Sequence, residues 1–460
     1  MFVLSIDGVP ISLIREGFAQ GKMPNFARLA EEGALIQMNS VIPTISSVAW
    51  ATFATGVNPG RHNIYGFVER DEGMRFTIPN SRDVKARPLW EWFNQAGKRT
   101  IVLNVPVTYP PRPVDGILVA GFLSPSLDRA CYPAELSHRL AALGYVVDPD
   151  PWKAKDDKDG FFDDCFAALR ARKRTALELM RSEEWDFFML HVMETDRVNH
   201  FYWDAYLSRG AEERRSRGER EPGGRGVEER GDGARYRQRF WEFYGEVDQV
   251  IGEVHQALPE GAEFVILSDH GFCGIRQEVN LNAYLRERGW LEFKGQTKDP
   301  TDIHPASRAY SLIPGRAFVN LKGREPIGSV EPADYEKVRQ ELAAALLELV
   351  DPETGSRVIE RVYRREELYH GPYLERAADL IAHPHRGYDL KAKMGEAPLF
   401  GRSHRPGMHT YDDAVLFVEG HRLAAGSDAS ILDVTPTLFE LMGLRVPDAL
   451  EGRSLLEHDR

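Results

Sequence analysis

The sequence is poor in cysteine, carries no excess of positive charge and has no long apolar run. Its three cysteines, at positions 131, 165 and 273, are odd in number and widely spaced. They imply neither a disulfide framework nor a thiolate metal site, so we expect a reducing, cytoplasmic setting. The formal net charge of −12 argues against a surface that coats nucleic acid, and we expect no polymeric DNA or RNA as the main partner.

Membrane and export signals are also missing. No apolar run reaches the length that crosses a bilayer, and residues 1–8 show neither a basic leader nor a cleavage site. We interpret these residues as a buried first strand and expect no membrane association. With 460 residues, the chain is long enough for one elaborated catalytic domain or for two domains.

Short apolar runs that end in acidic residues indicate an α/β fold. Residues 2–6 end in Asp7, and residues 264–267 lead into Asp269 and His270. Buried parallel strands deliver polar residues to the carboxyl edge of a sheet in this way. We predict a central, mostly parallel sheet with helices on both faces. Asp7 alone fits a turn cap as well as a functional role, whereas for Asp269 and His270 a ligand role is preferred over a polar turn.

Two further histidines stand close to predicted strands. The apolar run 185–192 is followed by Asp196 and His200, which are four residues apart and can share one helical face toward a metal. This spacing alone is a weak signal. His409 precedes the predicted strand 414–418, whereas His404 lies between Arg402 and Arg405 in a cationic loop that suits a substrate phosphate.

The stretch 41–56 places small hydroxyl residues where a helix should begin. Ser46 and Ser47 follow an extended segment closed by Pro43. Unpaired N–H groups at a helix start stabilise an alkoxide or a phosphoryl oxygen, but an ordinary Ser N-cap gives the same pattern. Asn104, near the end of another predicted strand, could donate to a phosphoryl oxygen, but its residue context favours an amide that satisfies its own loop.

Composition divides the rest of the chain. Residues 208–237 are rich in Arg, Glu and Gly with few apolar residues, so we expect a mobile surface insertion there. Residues 301–400 alternate short strands with one amphipathic helix, which predicts a small α+β insertion that caps the site. The predicted catalytic domain therefore comprises residues 1–300 and 401–460.

Considered together, these segments resemble the alkaline phosphatase superfamily, and within it the type I phosphodiesterase/nucleotide pyrophosphatase branch. The similarity extends nearly end to end and is closest to soluble members described as predicted phosphohydrolases or phosphomutases. The segments that carry the resemblance are Ile6-Asp7-Gly8, Pro43-Thr44-Ile45-Ser46, residues 55–62, residues 104–111, residues 195–200, residues 268–272 and Gly407-Met408-His409.

The resemblance implies two divalent metal ions, zinc or manganese. Asp196, His200 and His409 would bind one, and Asp7, Ser46, Asp269 and His270 the other. It also implies that Ser46 attacks phosphorus and that water then cleaves the phosphoserine. The expected substrate is a small phosphorylated molecule, a nucleotide or another phosphodiester, with Asn104, His404 and Arg405 as candidate substrate-binding residues.

Other functions compete with this prediction. A phosphomonoesterase or phosphomutase of the same superfamily stays open, because the groups that flank the metals decide between monoester and diester. A sulfatase is discounted because the residues after Ser46 lack its Pro and Arg spacing, and the surroundings of the nucleophile differ from those of cofactor-independent phosphoglycerate mutase. A catalytically silent metal-binding protein is the remote alternative.

Overall fold

A computed structural model describes residues 1–208, 230–295, 300–424, 426 and 428–458. Most of the predicted mobile insertion, residues 209–229, therefore lies outside the described residues. Residues 230–237, which the prediction included in the insertion, instead begin the helix Arg230–Gln256. An ion pair from Arg235 to Asp159, 2.9 Å long, ties this first part of the helix to the protein, and Tyr236 packs against Tyr202 of the core.

The strands follow the chain in this order: β1 Phe2–Ile6, β2 Gly33–Met38, β3 Glu69–Arg70, β4 Phe76–Thr77, β5 Thr100–Leu103, β6 Gly116–Val119, β7 Cys131–Tyr132, β8 Phe187–Val192, β9 Phe264–Leu267, β10 Gly271–Gly274, β11 Gln277–Asn280, β12 Ala309–Ile313, β13 Arg316–Val319, β14 Ile359–Arg364, β15 Leu380–Pro384, β16 Tyr388–Lys391, β17 Phe400–Gly401, β18 Gly407–Thr410 and β19 Ala414–Glu419.

The α-helices are α1 Ile11–Ala19, α2 Pro24–Glu31, α3 Ser46–Thr55, α4 Pro59–His62, α5 Leu89–Gln95, α6 Leu127–Ala130, α7 Leu136–Ala142, α8 Lys153–Asp156, α9 Lys158–Ser182, α10 Glu194–Leu207, α11 Arg230–Gln256, α12 Leu281–Glu287, α13 Tyr335–Leu347, α14 Arg365–Leu368 and α15 Ile431–Leu441. Short 3₁₀ segments cover Pro300–Asp302, Pro332–Asp334 and Leu374–Arg376. Among the helices of the described ranges, none is long and apolar enough to span a membrane.

The first compact unit comprises residues 1–40, 88–274 and 404–460. Its eight-stranded sheet has the order β2-β19-β9-β1-β8-β5-β6-β7. The run from β9 to β6 is parallel, whereas β19 pairs antiparallel with β9 and β2, and β7 pairs antiparallel with β6. The predicted mostly parallel sheet is thus confirmed.

The core of this unit explains why the central strands read as continuous apolar runs. Every residue of β1, β8 and β9 is buried. Parallel strands covered on both faces have no solvent side on which polar residues could alternate. The long helices α9, α10 and α11 contribute aromatic side chains to the same core. A polar residue within these strands is therefore an exception that needs a partner.

The second compact unit comprises residues 41–87 and 275–403. It contains the antiparallel sheet β12-β13-β15-β14, the three-stranded sheet β16-β11-β17 and the β3-β4 pair. The two larger sheets and α13 share a separate hydrophobic core. The unit has the α+β character predicted for residues 301–400.

The boundaries of this unit differ from the predicted domain boundaries, because residues 41–87 and 275–300 belong to it. Long-range bonds explain the grouping. The Arg316 guanidinium donates to the carbonyl of Tyr65, and the Tyr369 hydroxyl donates to the carbonyl of Ile42 at 2.7 Å. Such contacts join segments about 250 to 330 residues apart in the chain, and no local sequence pattern records them.

Candidate active site

Three neighbouring strands of the sheet deliver most of the predicted ligands. Strands β9, β1 and β8 are adjacent and parallel, so their carboxyl ends meet at one edge. Asp7 follows β1, and Asp269 and His270 follow β9. Strand β8 leads into α10, whose first two turns carry Asp196 and His200. The chain folds locally as expected because each apolar strand ends where its polar residues begin.

His409 reaches the same place from a separate two-stranded ribbon. It lies in β18, which pairs antiparallel with β10, and there it is opposite Phe272. The imidazole rings of His270 and His409 stack with centroids 3.7 Å apart. The structure thus brings the late histidine beside residues that precede it by about 140 positions.

A first group of donor atoms contains Asp196, His270 and His409, whose ligand atoms lie within 4.8 Å of one another. His409 Nε2 is 3.1 Å from Asp196 Oδ1. His200 adjoins the group, with its Nε2 2.9 Å from His409 Nε2 and 3.5 Å from Asp196 Oδ1. The three residues predicted for one metal therefore lie together, and His270 is next to them.

A second group contains Asp7, Asp269 and His270, again with ligand atoms within 4.8 Å of one another. His270 Nε2 lies 3.6 Å from Asp7 Oδ1 and 3.4 Å from Asp269 Oδ2. All three side chains are fully buried. His270 belongs to both groups, so the two candidate metal sites are neighbours.

The protonation of two imidazoles follows from their hydrogen bonds. His270 Nδ1 lies 3.0 Å from the carbonyl of Gly271, and His200 Nδ1 lies 2.9 Å from the carbonyl of Gly407. A carbonyl only accepts, so each Nδ1 carries the proton and each Nε2 offers a lone pair. Burial and the neighbouring His409 lower the pKa of His270 to about 4, which keeps its imidazole neutral at pH 7. This is the ligand form of histidine.

The carboxylates also favour a cation. Burial and the nearby charge of Asp7 raise the pKa of Asp269 far above its ordinary value. Burial opposes the charge of Asp196 too, but the imidazoles of His200 and His409 outweigh it and lower the pKa of that group. No described residue donates a hydrogen bond to Asp269 Oδ2, although this atom is buried. Carboxylates and imidazoles that converge in this way fit a divalent metal ion.

Sequence analysis missed the residues that hold the loop after β1. The Thr195 hydroxyl donates to the carbonyl of Asp7 at 2.7 Å, and the Asn199 amide donates to the carbonyl of Gly8 at 2.8 Å. Gly8 has φ +64°, and a Cβ there would lie 3.0 Å from His270 Cε1. The segment 195–200 was recognised as a motif, but only the contacts show why its intervening residues matter.

Ser46 lies in the second compact unit, at the first position of α3. The N-cap is Ile45, which makes no side-chain capping hydrogen bond. Ser46 is therefore inside the helix, and the ordinary N-cap interpretation does not apply to it. Ser47 is fully buried, and its Oγ bonds to none of the described residues.

The three predicted substrate-binding residues have different surroundings. Asn104 follows β5 with φ +70°, and its buried amide bonds to none of the described groups. It does not satisfy its own loop there, which is the role that the sequence context favoured. The charge of Arg405 contributes to lowering the pKa of His200, after burial and His409, so Arg405 lies near the first donor group. The His404 side chain is exposed.

The comparison with known families identifies a metal-dependent phosphoric ester hydrolase of the alkaline phosphatase superfamily. The family model for type I phosphodiesterase/nucleotide pyrophosphatase matches residues 1–412, and the chain belongs to this family. The family predicted from the sequence is thereby confirmed. No curated protein matches the sequence.

Solved structures share the fold at low sequence identity. Phosphonoacetate hydrolase from Sinorhizobium meliloti 1021, solved with phosphonoacetate, superposes with a TM-score of 0.63 at 19% identity, covering 96% of this chain and 94% of that one. An inactive murine ectonucleotide pyrophosphatase/phosphodiesterase 5, solved with AMP, gives 0.55 at 15% identity and 99% of both chains. The human form gives 0.55 at 15% identity and 100% of both.

Proposed function

We propose that this protein is a phosphodiesterase or nucleotide pyrophosphatase that works through a phosphoserine on Ser46 with two bound metal ions. The observation that carries the proposal is the convergence of two carboxylate and imidazole groups on His270. Two neighbouring metals suit an in-line displacement at phosphorus, in which both the attacking and the leaving oxygen need stabilisation.

Asp196, His200 and His409 would hold one metal, and Asp7, Asp269 and His270 the other, with Ser46 added to the second set. His270 belongs to both groups, so which of the two ions its imidazole binds is part of the proposal. The imidazole-rich donor set favours zinc, with manganese as the alternative. When bound, the ions would supply Lewis-acid stabilisation of the reacting oxygens.

Ser46 is proposed as the nucleophile because of its position at the start of α3. The first N–H groups of a helix have no intrahelical acceptor, and here the apolar N-cap supplies no side-chain oxygen to them. Such groups stabilise negative charge on an attacking alkoxide and on phosphoryl oxygens. The Ser46 hydroxyl would attack phosphorus and expel the leaving alcohol, and water would then release the phosphoryl group.

Asn104 and Arg405 are proposed to bind the substrate. The Asn104 amide is buried without a hydrogen-bond partner among the described residues, and such a group costs free energy unless a ligand satisfies it. Its N–H₂ would donate to a non-bridging phosphoryl oxygen. Arg405 would neutralise charge on the leaving group, and the exposed His404 would contact the outer part of the substrate.

The substrate is proposed to be a small phosphodiester such as a nucleotide. Comparison of bis-p-nitrophenyl phosphate with p-nitrophenyl phosphate, after chelation and with zinc or manganese added back, tests this choice. We expect a higher kcat/KM for the diester. A higher value for the monoester would instead support the phosphomonoesterase or phosphomutase alternative.

Variants of the two adjacent serines test the nucleophile. Ser46→Ala should lose nearly all turnover while it retains both metals, whereas the matched control Ser47→Ala should change kcat only mildly. Full activity in Ser46→Ala would contradict the assignment. Two retained metals with no turnover in the wild-type protein would instead support the catalytically silent alternative.

A further inference from the structure

A chain of three hydrogen bonds runs from helix α11 to the second donor group. The Tyr244 hydroxyl donates to Asn199 Oδ1 at 2.9 Å, and Asn199 Nδ2 donates to the carbonyl of Gly8 at 2.8 Å. The amide N–H of Gly8 donates in turn to Asp269 Oδ1 at 3.1 Å. Tyr244 lies in α11 and Asn199 in α10, whereas Gly8 is in the turn after β1 and Asp269 follows β9. The chain therefore joins four separate segments.

The partners in this chain fix the direction of every bond. A backbone carbonyl only accepts, so the Asn199 amide must turn its nitrogen toward Gly8 and its oxygen toward Tyr244. An amide oxygen also only accepts, so the Tyr244 hydroxyl is the donor. The last donor, the Gly8 amide, is a backbone group that does not titrate.

The chain is shielded from water. Tyr244, Asn199 and Asp269 are fully buried. The Tyr244 ring packs among aromatic side chains of its own helix, with ring centroids 5.0 Å from Phe240 and 5.9 Å from Phe243. A polar group that loses its partner in such a place has no water to replace it, which is costly. Each bond therefore constrains the next one along the chain.

The Gly8 amide determines which oxygen of Asp269 faces the metal site. Asp269 Oδ1 accepts the bond from Gly8, whereas Oδ2 lies 3.4 Å from His270 Nε2 within the second donor group. Gly8 has φ +64°. Glycine has wide conformational freedom, so contacts with its neighbours must hold the turn in place. The bond from Asn199 to the Gly8 carbonyl is one such contact.

We infer that Tyr244 and Asn199 are positioning residues of the second metal site, holding the turn after β1 so that the Gly8 amide fixes Asp269 with Oδ2 toward the ion. The inference rests on the proposed metal sites and adds two residues that contribute no ligand. Asn199 shares α10 with Asp196, a ligand proposed for the first metal, so this helix serves both ions. Partners that orient a ligand in this way strengthen metal binding.

The test is titration of chelator-treated protein with Zn²⁺ in competition with a chelating dye. Asp269→Asn identifies the binding event of the second metal, and Asp196→Asn identifies that of the first. Asn199→Leu should weaken the second event by about 10-fold to 100-fold, the range typical for loss of a residue that orients a ligand, and leave the first unchanged. Tyr244→Phe should weaken the same event by about threefold to 10-fold, because Asn199 then keeps its bond to Gly8.

A double-mutant cycle on zinc affinity separates positioning from packing. If Tyr244 acts through Asn199, Tyr244→Phe should have no further effect on the second event in an Asn199→Leu background, whereas independent packing effects would add. Tyr202→Phe is the matched control. Tyr202 is fully buried in α10, and its hydroxyl donates to the carbonyl of Lys158. Its loss should leave both binding events unchanged.

Wild-type zinc affinities in Tyr244→Phe, with only a lowered Tm, would overturn the inference, and so would additive losses in the cycle. Tyr244→Phe removes a single oxygen atom from a packed ring, so it keeps the test decisive if Asn199→Leu does not fold. A wild-type protein that binds fewer than two zinc ions would refute the proposed metal sites, and this inference with them. Two wild-type binding events that ignore Tyr244→Phe would refute the inference alone.

Discussion

The buried pair of Arg172 and Glu194 gives a stability prediction with a defined sign. Both side chains are fully buried. Arg172 Nε donates to the two Glu194 oxygens at 2.7 and 2.9 Å, and the same guanidinium donates to the Tyr145 hydroxyl at 2.9 Å and to the Val147 carbonyl at 2.7 Å. Glu194 begins α10, the helix that carries Asp196, so the pair anchors one of the candidate ligands.

Burial raises the pKa of Glu194 even though Arg172 opposes this shift. The cost of removing the carboxylate from water is therefore not fully offset by its partner. Loss of the arginine alone should destabilise by about 3–5 kcal/mol, because it leaves a buried charge unpaired. Replacement of both residues by apolar ones should cost only about 1–2 kcal/mol, for the acceptors left at Tyr145 and Val147.

Urea unfolding of Arg172→Met and of the double variant Arg172→Met/Glu194→Leu measures the difference. In the single variant, the pKa of Glu194 rises further above its unfolded value. Protonation then favours the folded state, so the variant should be least destabilised at low pH and should lose stability as pH rises. Equal destabilisation of the single and double variants, or a loss that does not change with pH, would refute the reasoning.

Three other predictions concern separate parts of the molecule. Burial lowers the pKa of His62 to about 3, so the free energy of unfolding should be highest above about pH 6.5, where His62 is neutral in both states, and should fall by about 2 kcal/mol at pH 5. His62→Gln should abolish this pH dependence in urea unfolding from pH 4 to 8. His409→Ala should lose one metal per chain, whereas the control His404→Ala should keep both and mainly raise KM; metal analysis showing the reverse would exchange their roles. Gly8→Ala should lower Tm and weaken metal binding, because φ is +64° and His270 Cε1 would be 3.0 Å from the new methyl group; unchanged binding would show that the loop adapts.

Sequence patterns were sufficient for the sheet and for most of its polar ends. Asp7, Asp269 and His270 could be predicted because each follows an apolar strand, and the carboxyl ends of parallel strands converge by geometry. The start of α3 was also located correctly. Whether Ser46 caps the helix or lies inside it depends on a shift of one residue in the helix start, and only backbone coordinates locate that start.

Long-range pairing explains what the sequence did not show. Gly8 and Asn199 are 191 residues apart, and their contact depends on how α10 packs against the turn after β1, which neither segment encodes alone. The grouping of Tyr65 with Arg316 is hidden for the same reason. The first turns of α11 contain few apolar residues, and the ion pair from Arg235 to Asp159 adds to the packing of Tyr236 against the core, so a rule based on the density of apolar residues missed the helix.

The central claim is that Ser46 carries the phosphoryl group during turnover. Its most direct test is rapid acid quench of the zinc-loaded enzyme with bis-p-nitrophenyl phosphate, followed by mass spectrometry of the peptide that contains Ser46. Attack by the serine would expel one p-nitrophenolate and leave a p-nitrophenyl phosphoryl group on the Ser46 oxygen. We predict this adduct on Ser46 and its absence in Ser46→Ala. An adduct on Ser47 or on another residue, with Ser46 unmodified during steady turnover, would contradict the account.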